Sequence, residues 1–391
     1  MTSYPLVFHD MFMFPDGGGR VASTLANQFN AKLITGHLDA DAFPGGWFGD
    51  VYPVSLQAYN IDMHGLHEGY RSHGAFRTFL PLLKFSKILQ MHHALSKMPL
   101  LNPSWTIFSG SLSLLAHKRI TGPKILYCHT PPRLLYDQRD FYLKQTRFLK
   151  RPAMKALMVW YQKHYEAAVR DMDLIIANSC NVQGRIKHYL GRDSVIVYPP
   201  CDVDAFVWLG QGDYYLSTAR LDPLKRVDVV VKAFLQMPDK KLVVVSGGSE
   251  YDRIRAMAEG AANIKILGWV DDSTLHHLMG NCIATIYIPM DEDFGISPVE
   301  SMAAGKPVIG VAEGGLLETI QNGHTGMLIP ADPGPWDVVR AVGSITKSRA
   351  RGMHSACEHQ ARKFRTRVFH DKMREIVAYL SACPVFQTSG G

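Results

Sequence analysis

From residue 214 to residue 330, short apolar runs alternate with stretches of helical periodicity, and this alternation leaves few folds open. YYLSTAR (214–220), KLVVVSGG (241–248), NIKILGWV (263–270) and CIATIYIP (282–289) read as strands, with two more at 306–311 and 326–330. Helical patterns near 226–236, 250–260 and 271–280 lie between them. Strands that are apolar along their length are buried on both faces, and parallel neighbours need a crossover between them. The pattern therefore predicts an α/β unit with a parallel sheet covered by helices.

The first half repeats the theme. PLVFHD (5–10), AKLITG (31–36), PKILYCHT (123–130), DLIIANS (173–179) and SVIVYPP (194–200) read as strands, and NVQGRIKHYLG (181–191) as a helix closed by a glycine. Between residues 40 and 120 the pattern is too weak to assign. A chain of 391 residues is long for one core. A proline-containing extended segment, YPPCDVDAF (198–206), divides it into a doubly wound domain at 1–198 and a second at 199–355. Residues 356–391 are expected to form a helical tail, about 356–381, with a frayed end from 384.

Composition removes several classes. The start of the sequence, MTSYPLVFHDMF, has neither a basic region nor an apolar core long enough for a signal peptide. Residues 98–116 carry no charge, but Asn102, two prolines, a glycine and four serines argue against a membrane span. Six scattered cysteines without a C-x-x-C pair suggest reduced thiols and a cytoplasmic protein. The net charge of +7 is uneven: residues 1–198 hold 22 Lys+Arg against 13 Asp+Glu, and residues 199–391 hold 20 against 22. Two segments of the first half, 71–97 and 139–170, interleave cations with Phe79, Leu83, Phe85 and Ile88, or with Phe148, Leu157, Trp160 and Tyr161. Such stretches suit an anionic membrane surface. No nucleic-acid module accompanies them, so nucleic acid is not expected as a partner.

The most specific segment is EDFGISPVESMAAGKPVIG, 292–310. Glu292 and Glu300 stand on either side of a glycine-containing turn that runs into a helix. Ser297 is placed to cap that helix, Pro298 to occupy its first position and Glu300 its third, a capping box. Backbone N–H groups around Phe294, Gly295, Ile296 and Ser297 would form an anion site, and the glutamates would accept hydroxyl groups. A phosphate between two polyols fits, and nucleotide sugars are such ligands. In the first half, Gly17, Gly18 and Gly19 follow the first strand and would let backbone approach a phosphate or sugar. Asp202-Val203-Asp204 spells a metal-binding D-x-D but lies in the interdomain segment, and His92-His93 and His276-His277 lack ligand spacing. No metal or other cofactor is expected.

The Glu-x7-Glu segment closely resembles the signature of family 4 retaining glycosyltransferases, E-x-F-G-x-x-x-x-E followed by a small-residue helix and G-x-P-V. Arg220-Leu221-Asp222-Pro223-Leu224-Lys225 resembles that family's R-L-x-x-x-K element, and Gly17–Gly19 its first-strand loop, with Arg20 where the family carries glutamate. Tyr127-Cys128-His129-Thr130-Pro131-Pro132-Arg133 looks like the corresponding string of bacterial polysaccharide mannosyltransferases. The resemblance implies the GT-B fold, two doubly wound domains whose strand ends face a shared cleft, with the 356–391 tail helix crossing back to the first domain. It assigns catalysis to His129, Glu292, Arg220 and Lys225, with the two cations neutralising the departing diphosphate. Glu292 would hold sugar hydroxyls, Glu300 the ribose, and backbone near Val270 the base, while Arg20 and Arg133 would lie on the acceptor side. The implied reaction is retaining transfer of a hexose, mannose from GDP-mannose, to a glycan or lipid-linked glycan of a bacterial surface polysaccharide. Glucosyl-, rhamnosyl- or N-acetylhexosaminyl transfer, an epimerase, and a non-catalytic sugar-binding module are the alternatives. Oligomeric state is not readable.

Overall fold

A computed structural model describes residues 4–43, 45–55 and 80–382, and the side chains of 80–87, 381 and 382 are not described. Residues 71–79 of the first basic segment, with Phe79, and the side chains of Leu83 and Phe85 therefore lie outside the described part, as do Cys383 and residues 384–391. The chain divides into two compact units: Met1–Tyr198 with His370–Gly391, and Pro199–Phe369.

Among the described residues, the first unit carries a seven-stranded sheet: β1 (Pro5–His9), β2 (Lys32–Thr35), β3 (Val54–Ser55), β4 (Trp105–Ser109), β5 (Lys124–Cys128), β6 (Leu174–Ala177) and β7 (Val195–Ile196). Their order is β3-β2-β1-β4-β5-β6-β7, and every pairing is parallel. Leu6, Val7 and Phe8 of β1 are fully buried, as a strand covered on both faces requires. The central strand β4 falls in the stretch without a sequence assignment. All five of its residues are buried, so it has no alternation to betray it. Helix Arg151–Arg170, hidden in the second basic segment, buries Met154, Met158, Tyr161 and Tyr165 on one face.

The second unit has six parallel strands: β8 (Tyr214–Ser217), β9 (Lys241–Val245), β10 (Ile264–Gly268), β11 (Thr285–Tyr287), β12 (Val308–Val311) and β13 (Gly326–Ile329). Their order is β10-β9-β8-β11-β12-β13. Helices Val227–Leu235, Tyr251–Met257 and Asp272–Asn281 occupy the connections where periodicity placed them. In both sheets the winding reverses beside the first strand, between β1 and β4 and between β8 and β11. Loops at the carboxyl ends on either side of such a reversal form a ligand crevice.

The tail corrects the expected boundary at 356. Helix His354–Ala361 stays in the second unit, burying Cys357, Gln360 and Ala361, and Gln360 donates to the carbonyl of Thr319 at 3.1 Å. Only from His370, inside helix Thr366–Ala382, does the chain join the first unit. Among the described residues no helix is long and apolar enough to cross a membrane.

Candidate active site

In the second unit, the loop after β8 and the loop after β11 meet across the reversal. Lys225 Nζ lies 2.6 Å from Glu292 Oε2 and 3.0 Å from the Tyr287 hydroxyl, and that hydroxyl lies 2.9 Å from the same carboxylate oxygen. Burial alone would lower the Lys225 pKa. The neighbouring Tyr287 and Glu292 outweigh it and hold it above the ordinary value. Burial, then Glu292, pushes the Tyr287 phenol up. The cluster is thus an ammonium, a neutral phenol and a carboxylate: lysine donates to both oxygens, and tyrosine donates to glutamate. Tyr287 escaped sequence analysis because an aromatic residue ending an apolar run reads as an ordinary strand residue.

Arg220 is paired with Asp222 through its Nε, and Asp222 accepts from Ser249 Oγ at 3.2 Å. The turn Gly247-Gly248-Ser249 after β9 is pressed onto this loop. Leu221 donates to Gly247 O at 2.8 Å, and a Cβ on Gly248 would stand 2.5 Å from Leu221 O. Arg226, the residue after Lys225, is only 9% exposed and has φ 53°. Its guanidinium donates to Ala331 O at 2.6 Å and to Glu313 at 3.4 Å. Glu313 also accepts from the Asp291 backbone N–H at 3.0 Å. One buried arginine therefore ties the loop after β8 to those after β12 and β13, and Glu313 extends the link to the loop after β11.

The turn after Glu292 is built on glycine. Gly315 donates to Glu292 O at 2.8 Å, and a Cβ on Gly314 would stand 2.4 Å from that oxygen. The helix then opens at Ile296 on Gly295, which has φ 92° and makes no side-chain cap. This overturns the expected capping box. Ser297 does not cap, Pro298 is the third helical residue rather than the first, and Glu300 is the fifth. The left-handed glycine turns the chain into the helix two residues before the serine. Phe294 is buried with its ring 5.3 Å from Phe364, so its side chain is core and only its backbone could serve a ligand. Val270 follows Trp269, a 74% exposed indole, in the connection after β10. Of the D-x-D pair, Asp204 is bound by Arg365 at 2.9 Å.

In the first unit, helix Gly17–Phe29 starts directly after the β1 loop, capped by Asp16, which accepts from Gly19 N at 2.7 Å. Gly17, Gly18 and Gly19 are its first turn. A Cβ on Gly18 would stand 3.6 Å from His129 Nε2, so the glycine turn and the histidine after β5 share one place. Burial, then His9, lowers the His129 pKa to about 3, and the ring is neutral. Arg20 is exposed on the helix. Arg133 is held by Asp137 through Nε at 2.8 Å and Nη2 at 2.6 Å.

Two doubly wound units carrying these elements define a GT-B glycosyltransferase. Residues 175–364 match the family model of the glycosyl transferases group 1. It is 28% identical over 331 residues to the alpha-1,3/1,6-mannosyltransferase of Rhizomucor pusillus, covering 70% of each. It is 31% identical over 160 residues to the phosphatidyl-myo-inositol mannosyltransferase of Mycobacterium tuberculosis, covering 37% of this chain and 42% of that one. The crystal structure of Anabaena HepE in complex with UDP and glucose superposes with a TM-score of 0.68 at 17% identity, over 96% of this chain and 99% of that one. The enzyme is a glycosyltransferase related to mannosyltransferases.

Proposed function

We propose that the enzyme transfers mannose from GDP-mannose, with retention, to a glycan or lipid-linked glycan acceptor in bacterial surface-polysaccharide synthesis. The observation that carries this reading is the Lys225–Tyr287–Glu292 cluster at the β8/β11 reversal. A nucleoside diphosphate leaves with growing negative charge, so the barrier falls most where positive groups are already in place. Lys225 keeps its proton at any working pH, and Arg220 offers a planar fork to phosphate oxygens. The N–H groups of Ile296 and Ser297 lie at the start of a helix, where partial positive charge gathers. Glu292, oriented by two donors, accepts from sugar hydroxyls. Glu300 serves the ribose, backbone at Val270 the base, and His129 the transferred sugar. The departing phosphate takes the acceptor proton on the face from which it leaves, so no carboxylate nucleophile and no metal is needed.

Mannosyltransferase relatives support the sugar. A second reading, a UDP-hexose donor, draws on the UDP and glucose bound by HepE. Thermal shifts with GDP, UDP, dTDP and ADP, followed by diphosphate-release assays with the matching sugars in excess EDTA, separate the two. We expect GDP to stabilise most and GDP-mannose to turn over without added metal. Preference for UDP, or turnover that returns only with manganese or magnesium, would overturn the corresponding part.

A further inference from the structure

The reversal in the first unit holds a chain of hydrogen bonds, buried at His9 and Ser109, that the proposed reaction has not used. His9, the last residue of β1, is 6% exposed, and its Nδ1 lies 2.7 Å from the carbonyl oxygen of Ser109. A carbonyl only accepts, so Nδ1 of His9 carries the proton. The same nitrogen lies 3.3 Å from Ser109 Oγ. Ser109 ends β4, is fully buried, and places Oγ 2.8 Å from His129 Nε2. Of the two ring nitrogens beside Ser109 Oγ, His9 Nδ1 already carries a proton, so His129 Nε2 is the acceptor within reach of the buried hydroxyl's hydrogen.

The serine itself is fixed by its neighbours. Asp10 accepts from the backbone N–H groups of Ser111, Leu112 and Ser113 at 2.8, 2.9 and 2.7 Å. Gly110 makes room for that carboxylate: its φ is 130°, and a Cβ there would stand 2.3 Å from Asp10. The first turn of helix Gly17–Phe29 covers the pair, since a Cβ on Gly18 would lie 3.6 Å from His129 Nε2 and 3.7 Å from His9 Cε1.

We propose that Ser109, oriented by His9, is a positioning residue that locks His129 in the tautomer protonated at Nδ1, making it a neutral hydrogen-bond donor to the transferred sugar. This rests on the reading of His129 as the residue that meets the sugar. A neutral imidazole has one donor and one acceptor nitrogen. With Nε2 occupied as acceptor, Nδ1–H is the group left for a sugar oxygen. A lone serine hydroxyl rotates and would serve either tautomer, and the His9 N–H beside it turns its hydrogen away from His9 and toward His129. Because burial already keeps the ring uncharged, the tautomer, not the charge, is the property left to set.

The test uses the full chain labelled with 15N-histidine, with the His129 resonances assigned by comparison with His129→Gln. Long-range proton–nitrogen spectra without substrate should show Nδ1 protonated and Nε2 bare. Ser109→Ala should give a mixture of tautomers and lower kcat roughly 10–100-fold, the scale lost when a group orienting a reactive side chain is removed. The donor KM should stay nearly unchanged, because the bond from His129 to the sugar counts as charge develops in the transition state, and its loss falls on kcat. His9→Asn retains an N–H for the Ser109 carbonyl and should preserve the tautomer, whereas His9→Phe should not. If Ser109→Ala fails to fold, the His9 pair decides. A parent His129 protonated at Nε2, or a tautomer and kcat indifferent to these changes, would overturn the proposal. Because the spectra need no donor, a wrong sugar or nucleotide would show as absent turnover with the tautomer result intact.

Discussion

Glu300 is the fifth residue of its helix, and the helix opens on a glycine without any side-chain cap. Its carboxylate is therefore not needed to start the helix. Glu300→Gln should leave the melting temperature within about 1 °C of the parent, while affinity for the nucleoside diphosphate weakens by about 1–3 kcal/mol, the range for hydrogen bonds to charged groups. Calorimetric titration beside a thermal melt checks both; intact affinity with a lowered melting point would return Glu300 to a structural role. Glu292 and Lys225 were visible in the sequence because each lies in a loop just past an apolar run. Their partners were not. Tyr287 reads as strand and Asp222 as part of a turn, and nothing local marks Arg226 or Glu313. What sequence lacks here is the third dimension: 67 residues separate Lys225 from Glu292 and 87 separate Arg226 from Glu313, and no local pattern records either meeting.

Between helix Arg139–Gln145 and helix Arg151–Arg170, the single turn Phe148–Lys150 leaves Phe148 78% and Leu149 89% exposed. Lys144, Arg147, Lys150 and Arg151 flank them. Large apolar side chains at the tip of a basic element suit an anionic bilayer, where each cation contributes about 1 kcal/mol near the surface. Flotation with vesicles of rising anionic-lipid content should recover the protein progressively and lose it at high salt. Changing the four cations to Gln, or Phe148 and Leu149 to Ser, should each abolish recovery. Equal recovery with neutral vesicles would leave the turn as ordinary surface. At this scale sequence reading did best where periodicity was clean, as in Cys180–Leu190, which Ser179 caps and Gly191 ends at φ 64°. It missed β4, whose uniform burial erases alternation, and Arg151–Arg170, whose apolar stripe is masked by the cations between.

The two units are joined by two passages of the chain, one near Tyr198–Pro199 and one near Phe369–His370. The second passage delivers a helix whose Met373, Val377 and Leu380 are buried, one apolar stripe at helical spacing. Gln28 adds a hydrogen bond to His370 O at 2.7 Å. Each such side chain is worth about 1.5–3 kcal/mol of burial, and a unit of this size melts about 2–4 °C lower per kcal/mol lost. Deleting residues 370–391 should therefore lower the melting of the first unit by about 10 °C or more. Hydrogen exchange should show lost protection within 4–198 and none within 199–369; unchanged protection throughout would mean the helix is dispensable. An apolar stripe announces that a helix is covered, but not by what, which is why the helix was legible and its junction was not. The same arrangement sets an order of events on the ribosome. The second unit is one unbroken stretch and can close as soon as it emerges, whereas the first, although translated earlier, must wait with an uncovered apolar surface until a helix made after its neighbour arrives. For this enzyme the half synthesised first is the half finished last.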